Sequence, residues 1–237
     1  MRAICEQARY PRCVEAQQVD QVLRRLEASG LREYVVAGSV ALAAHTGTLR
    51  RATFGDLDLV VRSFEALPHE LPAEFLCIHA HPHASGGRLM LQLADSQTRA
   101  RIDIFGAQGA VMARADDLAL SGREVRIASV EDIAARVIRS LTALGRDQRV
   151  PAKFAASWRA LRYVADAQKL TEAWRSLDAE SDIPTNAAIE QLLLDRAALL
   201  VEEEYADQPG SACDRCVPVG RIAPAPPQRI IDILGYR

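Results

Sequence analysis

The chain has 237 residues, of which 49% are hydrophobic and 25% are charged, and its net charge at pH 7 is -2. This composition is typical of a folded globular protein and excludes a low-complexity chain or a uniformly basic nucleic-acid coat protein. There is no apolar run of roughly 18 residues and no apolar core in the charged start MRAICEQARYPRC, so we expect a cytoplasmic protein with no membrane partner.

The cysteines are odd in number, and the chain is too long to depend on disulfides for its stability. They are Cys5, Cys13, Cys77, Cys213 and Cys216. The last two have a spacing that suits zinc, but a structural zinc ion needs four ligands and no second pair has that spacing. We therefore expect reduced thiols and no structural zinc.

Apolar residues at helical spacing predict a first helix over residues 19 to 31, with Gly30 near its end. The apolar run from Tyr34 to Ala37 then breaks at Gly38 and Ser39 and continues as the helix-compatible segment VALAAH. This pattern predicts a strand, a tight turn and a helix. Later strands are predicted over residues 56 to 61, 74 to 80, 88 to 93, 99 to 105 and 124 to 127. The strands up to residue 105 together predict a mixed sheet of about five strands.

The second half of the chain has a helical pattern. Ser129 and Asp132 form a start that resembles a capping box, and further helices are predicted over residues 155 to 177 and 186 to 205. We predict an α+β protein with a mixed sheet as catalytic core and flanking helices, followed by a helical C-terminal half. The predicted division is a core over residues 1 to 128, a helical region over 129 to 206 and a proline-rich tail over 207 to 237.

Three aspartates are predicted to converge on one point of the sheet. Side chains at positions i and i+2 of a strand lie on one face, so Asp56 and Asp58 project together. The same alternation in RIDIF places Asp103 on one face of its strand and Ile102 and Ile104 on the other. If this strand lies beside the strand of Asp56 and Asp58, the Asp103 carboxylate can reach the same point as theirs. Crowded carboxylates need a cation, and oxygen ligands suit Mg²⁺ or Mn²⁺ with phosphates completing the shell. The pattern therefore indicates a metal site with a nucleoside triphosphate (NTP) as substrate.

Gly38 and Ser39 are candidate phosphate ligands. A glycine between a strand and a helix lets backbone N–H groups approach a phosphate at the positive end of the helix dipole, and Ser39 adds a hydroxyl donor. Arg50 and Arg51 precede the aspartates in sequence. Their guanidinium groups either contact the triphosphate or are solvent-exposed.

These residues carry a resemblance. The segments AGSVALAAH, RRATFGDLDLVV, RIDIF and VRIASVEDIAA resemble nucleotidyltransferases of the DNA polymerase β superfamily, and most of all the AbiEii-type toxin-associated branch. The resemblance covers residues 34 to 144 and implies that Gly38 and Ser39 hold phosphate while Asp56, Asp58 and Asp103 are the catalytic metal ligands. Many such proteins have a lysine in the helix after the ASVED-like segment, where this chain has Arg136, Val137 and Arg139.

The resemblance implies in-line attack of an acceptor hydroxyl on the α-phosphate of an NTP such as ATP, with release of pyrophosphate. The toxin-associated branch implies an RNA or protein acceptor and a candidate antitoxin partner. Two alternatives stay open: nucleotidylation of a small molecule such as an aminoglycoside, and a non-catalytic binding protein of the same fold.

Positive charge is concentrated between residues 133 and 164, where Asp147 is the single acid. The basic residues are Arg136, Arg139, Arg146, Arg149, Lys153, Arg159 and Arg162. If this stretch faces the catalytic cleft, it forms a positive wall that favours a polyanionic acceptor such as RNA. If the residues are instead scattered around their helices, they are solvated and give no indication of the chemical class of the acceptor.

Overall fold

The computed structural model describes residues 14–49, 52–64, 67–68, 71–81, 90–120, 122–143, 150–177 and 180–201. Arg50, Arg51, Arg146, Arg149 and the segment 207–237 with its two cysteines lie outside the described residues, as do the predictions made for them. Within these ranges, no helix combines the length and the apolar character needed to cross a membrane.

The main structural element is a seven-stranded mixed sheet. The strands of the described residues are β1 (Val14–Glu15), β2 (Tyr34–Val36), β3 (Thr53–Phe54), β4 (Leu57–Val61), β5 (Phe75–His81), β6 (Met90–Asp95), β7 (Arg101–Gly106), β8 (Asp116–Leu120), β9 (Arg123–Ile127), β10 (Val150–Pro151) and β11 (Leu200–Val201). The order in the main sheet is β5-β6-β7-β4-β2-β9-β8, while β1 pairs with β3 and β10 with β11. The α+β class and the mixed sheet predicted from the sequence are confirmed.

The helices lie before, between and after the strands. They are α1 (Ala16–Ala28), α2 (Gly38–His45), α3 (Leu71–Glu74), α4 (Val111–Arg114), α5 (Val130–Thr142), α6 (Ala152–Leu161), α7 (Ala167–Leu177) and α8 (Asn186–Asp195), followed by a 3₁₀ turn at Ala197–Leu199. Helix α5 begins as its sequence predicts, because the Ser129 hydroxyl accepts a hydrogen bond from the Asp132 N–H at 3.1 Å.

Three features of the structure differ from the sequence prediction. The helix predicted over residues 186 to 205 ends at Asp195 and is followed by the 3₁₀ turn Ala197–Leu199 and by β11. The helix predicted over residues 155 to 177 is two helices, α6 and α7, because the Asp166 carboxylate accepts hydrogen bonds from Gln168 N–H and Lys169 N–H and starts a new helix there. The sheet also contains the unpredicted edge strand β8. Its sequence DDLAL lies largely exposed and therefore lacks the apolar alternation by which strands are recognised.

Residue contacts divide the chain into two compact units. One takes in the described residues of Met1–Ala107 together with Asp117–Ile127, and it contains the whole main sheet apart from Asp116. The other takes in Gln108–Asp116 and the described residues of Ala128–Glu204. The second unit is mostly helical, and Trp158 and Trp174 are buried in it. The domain boundaries proposed from the sequence stay a prediction.

The centre of the sheet brings β4 and β7 side by side. They are parallel, and their register pairs Leu57 with Ile102, Asp58 with Asp103 and Leu59 with Ile104. The four aliphatic side chains of these pairs are fully buried, so burial fixes which face of each strand enters the core. The aspartates between them consequently lie together on the opposite face of the sheet.

A buried carboxylate organises the turn between β6 and β7. Asp95 accepts hydrogen bonds from the Thr98 N–H at 2.9 Å and from the Arg25 Nε at 2.8 Å, and its side chain has no exposed surface. Arg25 extends from α1 and also pairs with Glu74 at 2.9 Å. The turn that leads into β7 is therefore attached to α1 by a largely buried ion pair.

We expect Asp95→Ala to lower the free energy of unfolding by about 3 kcal/mol, because it leaves Arg25 and the Thr98 N–H without this partner in a dry environment. Urea denaturation followed by circular dichroism measures the change. Asp117→Ala is the matched control, since Asp117 is exposed on β8 and its loss should change stability by less than about 0.5 kcal/mol. Equal stability of the two variants would contradict the role assigned to Asp95.

Candidate active site

The structure brings Asp56, Asp58 and Asp103 into one cluster. One carboxylate oxygen of each lies within 4.8 Å of the others. Asp56 directly precedes β4, Asp58 lies within it, and Asp103 is the register partner of Asp58 on β7. The Asp103 side chain is 5% exposed and that of Asp56 is 18% exposed, so the cluster lies at a shallow depth where a ligand can reach it.

Gly38 is in close contact with this cluster. It is the first residue of α2 and has a φ of +60°, in the left-handed region that favours glycine. A Cβ atom built on it would lie 1.8 Å from the Asp58 Oδ2, so any side chain at this position would force the Asp58 carboxylate to move. The adjacent Ala37 N–H donates to the Asp58 carbonyl at 2.8 Å. Glycine is therefore favoured here by two independent constraints, the backbone angle and the position of the carboxylate.

Helix α2 begins beside the Asp58 carboxylate. Its N-cap residue is Ala37, which offers no side-chain hydrogen bond to the first turn, and Ser39 next to Gly38 is exposed. An N-terminal turn without a side-chain cap keeps its N–H groups available for an anion. The predicted pair of Gly38 and Ser39 therefore lies where a phosphate group bound by the helix would also be near the aspartates.

Arg101 is a fourth charged residue of the cluster, and sequence reasoning missed it. Its Nε donates to Asp103 Oδ1 at 3.0 Å and its Nη2 to Asp103 Oδ2 at 2.7 Å, forming a bidentate pair. The same Nη2 lies 3.8 Å from Asp56 Oδ2. The sequence could have identified Arg101, because it lies two residues before Asp103 and strand alternation places both side chains on one face.

A second missed residue is Gln92. It is buried on β6 as the register partner of Asp103, and its Nε2 donates to Asp103 Oδ2 at 3.3 Å. Asp103 thus receives hydrogen bonds from its own strand and from the next one. Gln92 fixes the orientation of this carboxylate, and only the pairing of β6 with β7 reveals it.

The charges in the cluster act on the pKa of Arg101. Burial alone would lower this pKa, but the hydrogen bonds to Asp103 and the negative charges of Asp103, Asp56 and Asp58 outweigh burial and raise it. The guanidinium therefore stays charged at every physiological pH. Three carboxylates against one guanidinium leave an excess of negative charge.

The donor set of the cluster fits a hard divalent cation. It consists of carboxylate oxygens alone, which suits Mg²⁺ or Mn²⁺ better than zinc, and their mutual distances allow a shared ion. The remaining negative charge favours a cation in addition to Arg101. Asp56, Asp58 and Asp103 are the residues that could hold it.

No family model matches the sequence, and no curated protein matches it either. In structure, the chain is similar to the antibiotic-resistance factor ANT(2'')-Ia, with a TM-score of 0.52 and 17% identity over 74% of this chain and 95% of that one. A lincomycin-bound lincosamide antibiotic adenylyltransferase, LnuA, gives a TM-score of 0.44 and 13% identity over 65% of this chain and 99% of that one. An antigenic nucleotidyltransferase-like protein from Paracoccidioides brasiliensis gives a TM-score of 0.42 and 16% identity over 79% of this chain and 94% of that one. The likeness to ANT(2'')-Ia confirms the predicted fold, an α+β core with a mixed sheet and flanking helices.

We expect Gly38→Ala to raise the Mn²⁺ dissociation constant by about tenfold or more, because the new methyl group displaces the Asp58 carboxylate. Gly47→Ala is the matched control. Gly47 follows the other end of the same helix with a φ of +69°, but a Cβ there would have nothing within 4 Å. Both variants should lose about 1 kcal/mol of stability to backbone strain, while only Gly38→Ala should lose metal affinity. Calorimetric Mn²⁺ titration measures the difference, and similar affinities in both variants would contradict the steric argument.

Proposed function

We propose that this protein is a metal-dependent nucleotidyltransferase that moves a nucleoside monophosphate from an NTP to an acceptor hydroxyl and releases pyrophosphate. The observation that supports the proposal most strongly is the contact between Gly38 and Asp58. It places a helix N-terminus suited to phosphate directly beside three carboxylates suited to a divalent cation. An acidic cluster or a helix N-terminus alone would be weak evidence, and their direct contact is what gives the pair a joint role.

In this proposal, each residue has a distinct task. Asp56, Asp58 and Asp103 hold Mg²⁺ or Mn²⁺, which when bound offsets the negative charge that develops on the phosphoryl and pyrophosphate oxygens. The N–H groups at the start of α2 and the Ser39 hydroxyl bind the triphosphate and orient its α-phosphate. Gln92 holds the Asp103 carboxylate in place. A role of Arg50 and Arg51 in binding the triphosphate stays a prediction from their place in the sequence.

We expect Asp58→Asn to lower the transfer rate by at least about a hundredfold, because the neutral amide keeps the shape of the side chain but loses its charge toward the metal. Release of labelled pyrophosphate from a labelled NTP measures the rate, and circular dichroism checks that the fold is retained. Asp117→Asn removes the same charge at an exposed site on β8 and should leave the rate unchanged. Full activity of folded Asp58→Asn would refute the mechanism.

One observation bears on the acceptor. Within the described part of the basic stretch, Arg162 donates to the Glu190 carboxylate, Arg159 lies 3.7 Å from the same carboxylate, and Arg139 donates to the Leu177 carbonyl. Arg162 also stacks over the Trp158 ring. These arginines serve contacts within the helical unit, which weakens the case for a positive wall. We therefore favour a small hydroxylated acceptor, the class to which aminoglycosides belong, over RNA.

The acceptor can be identified by incubating the protein and Mn²⁺ with each α-labelled NTP and separate pools of total RNA, protein and hydroxylated small molecules. We expect label in the small-molecule pool, with a rate that changes little between 50 and 200 mM salt, whereas an RNA acceptor bound through several phosphates would lose affinity by orders of magnitude over about this range. Label in RNA or protein would favour the toxin-like alternative and its candidate antitoxin partner. Absence of label in all pools, with NTP still bound, would favour the non-catalytic binding protein.

A further inference from the structure

Arg101 and the three aspartates occupy four neighbouring positions on one face of the sheet. The register that pairs Asp58 with Asp103 also sets Asp56, two residues earlier, beside Arg101 at the start of β7. The four residues therefore form a rectangle across two adjacent strands. Gly38, which begins α2, contacts the Asp58 corner of this rectangle. Arg101 consequently lies at the corner diagonal to the one where α2 begins.

The Arg101 guanidinium is held in one orientation by its neighbours. Its Nε and Nη2 form the fork to Asp103, and the same Nη2 lies 3.8 Å from Asp56 Oδ2. A guanidinium carries five N–H donors in one plane, so fixing two of them fixes the direction of the others. The donors that the fork does not use are therefore held in a defined direction.

Nη1 is the part of the guanidinium that the fork leaves unused. Within the described part of the chain Nη1 forms no hydrogen bond, and the Arg101 side chain is 35% exposed. Two N–H donors of a permanently charged group are thus accessible beside the three carboxylates. Charged N–H donors of this kind form strong hydrogen bonds to phosphate oxygens.

Phosphate binding by Arg101 is compatible with metal binding by Asp103. Each carboxylate oxygen offers about two acceptor positions, and Asp103 Oδ1 receives a single described hydrogen bond, from the Arg101 Nε. The fork therefore leaves Asp103 able to bind a cation, as the proposed function requires. Nη1 is not part of the fork, so its N–H groups can bind an anion while Asp103 binds a cation.

On the basis of the proposed function, we propose that Arg101 is a catalytic residue whose Nη1 donates to a non-bridging oxygen of the α-phosphate. In this arrangement the start of α2 binds the terminal phosphates at the Asp58 corner. The α-phosphate lies over the aspartates, where the guanidinium meets it from the diagonal corner. Arg101 then stabilises the negative charge of this phosphate in the transition state. The triphosphate is thus bound by backbone N–H groups at one end and by a side chain at the other.

Nucleotides with one and three phosphates test this inference. Affinities for a nucleoside monophosphate and for the α,β-methylene triphosphate of the same base are measured by competition against a fluorescent copy of the triphosphate. The base is the one that the wild-type protein binds most tightly, and Mn²⁺ is raised until the affinities no longer change, so that differences in metal affinity do not enter. Both nucleotides carry the α-phosphate. Arg101→Gln should therefore raise both dissociation constants by about tenfold or more, and by similar factors.

Ser39→Ala and Arg62→Gln are the matched comparisons. Ser39→Ala acts on the terminal phosphates, so it should weaken binding of the triphosphate and leave that of the monophosphate unchanged. Arg62 follows the far end of β4 with its side chain 71% exposed, and Arg62→Gln should change neither affinity. Arg101→Lys keeps the charge but lacks the planar fork, so it should weaken both nucleotides by at least about threefold.

Arg101→Lys decides the matter if Arg101→Gln does not fold. Unchanged affinities in a folded Arg101 variant would overturn the inference, and so would a loss confined to the triphosphate, which would place the contact on the terminal phosphates. If the wild-type protein binds no nucleotide in Mn²⁺, the proposed function and this inference fail together. Tight wild-type binding that the Arg101 variants leave unchanged would overturn the inference alone.

Discussion

The organisation of the site depends on a missing side chain. At Gly38 the backbone leaves β2, takes a left-handed angle and starts α2, and the Asp58 carboxylate fills the space where a Cβ atom would be. Any other residue would push the Asp58 carboxylate away from its position beside the start of the helix. Because the neighbouring Ala37 N–H bonds to the Asp58 carbonyl, the close approach is also held by the backbone of β4. The proximity of the start of α2 to the three aspartates is thus a property of the sheet itself.

Three neighbouring carboxylates repel one another, and several contacts of the fold offset this repulsion. Fully buried aliphatic side chains on the other face of β4 and β7 hold the strands in register, so the aspartates cannot separate to relieve their repulsion. Arg101 removes part of the negative charge, and Gln92 orients Asp103 from the next strand. Charge that remains after this compensation is what gives a cation its affinity. The contacts that stabilise the sheet therefore also determine the charge of the carboxylate cluster.

Much of this arrangement could be predicted from the sequence, because it depends on local rules. Strand alternation places Asp56 with Asp58 and separates Asp103 from Ile102 and Ile104, and a strand followed by Gly-Ser and a helix-compatible run predicts β2 and α2. Contacts that depend on strand neighbours could not be predicted in this way. Gln92 becomes part of the site only through the pairing of β6 with β7, and β8 lacks an apolar pattern because it is an exposed edge. The break between α6 and α7 depends on Asp166, whose capping role competes with an otherwise continuous helical pattern.

The parallel pairing of β4 with β7 has a consequence for how such sites vary among related proteins. Asp58 and Asp103 are far apart in sequence, yet they are direct partners across one ladder, and β5 and β6 lie beyond β7 at the periphery of the sheet. The distance between the two carboxylates is therefore independent of the length of chain that connects them. Insertions or deletions in that connection can accumulate without moving either group. A sequence search that requires a fixed interval between the paired aspartates and the third acid would then miss homologues in which the arrangement of the three carboxylates is unchanged.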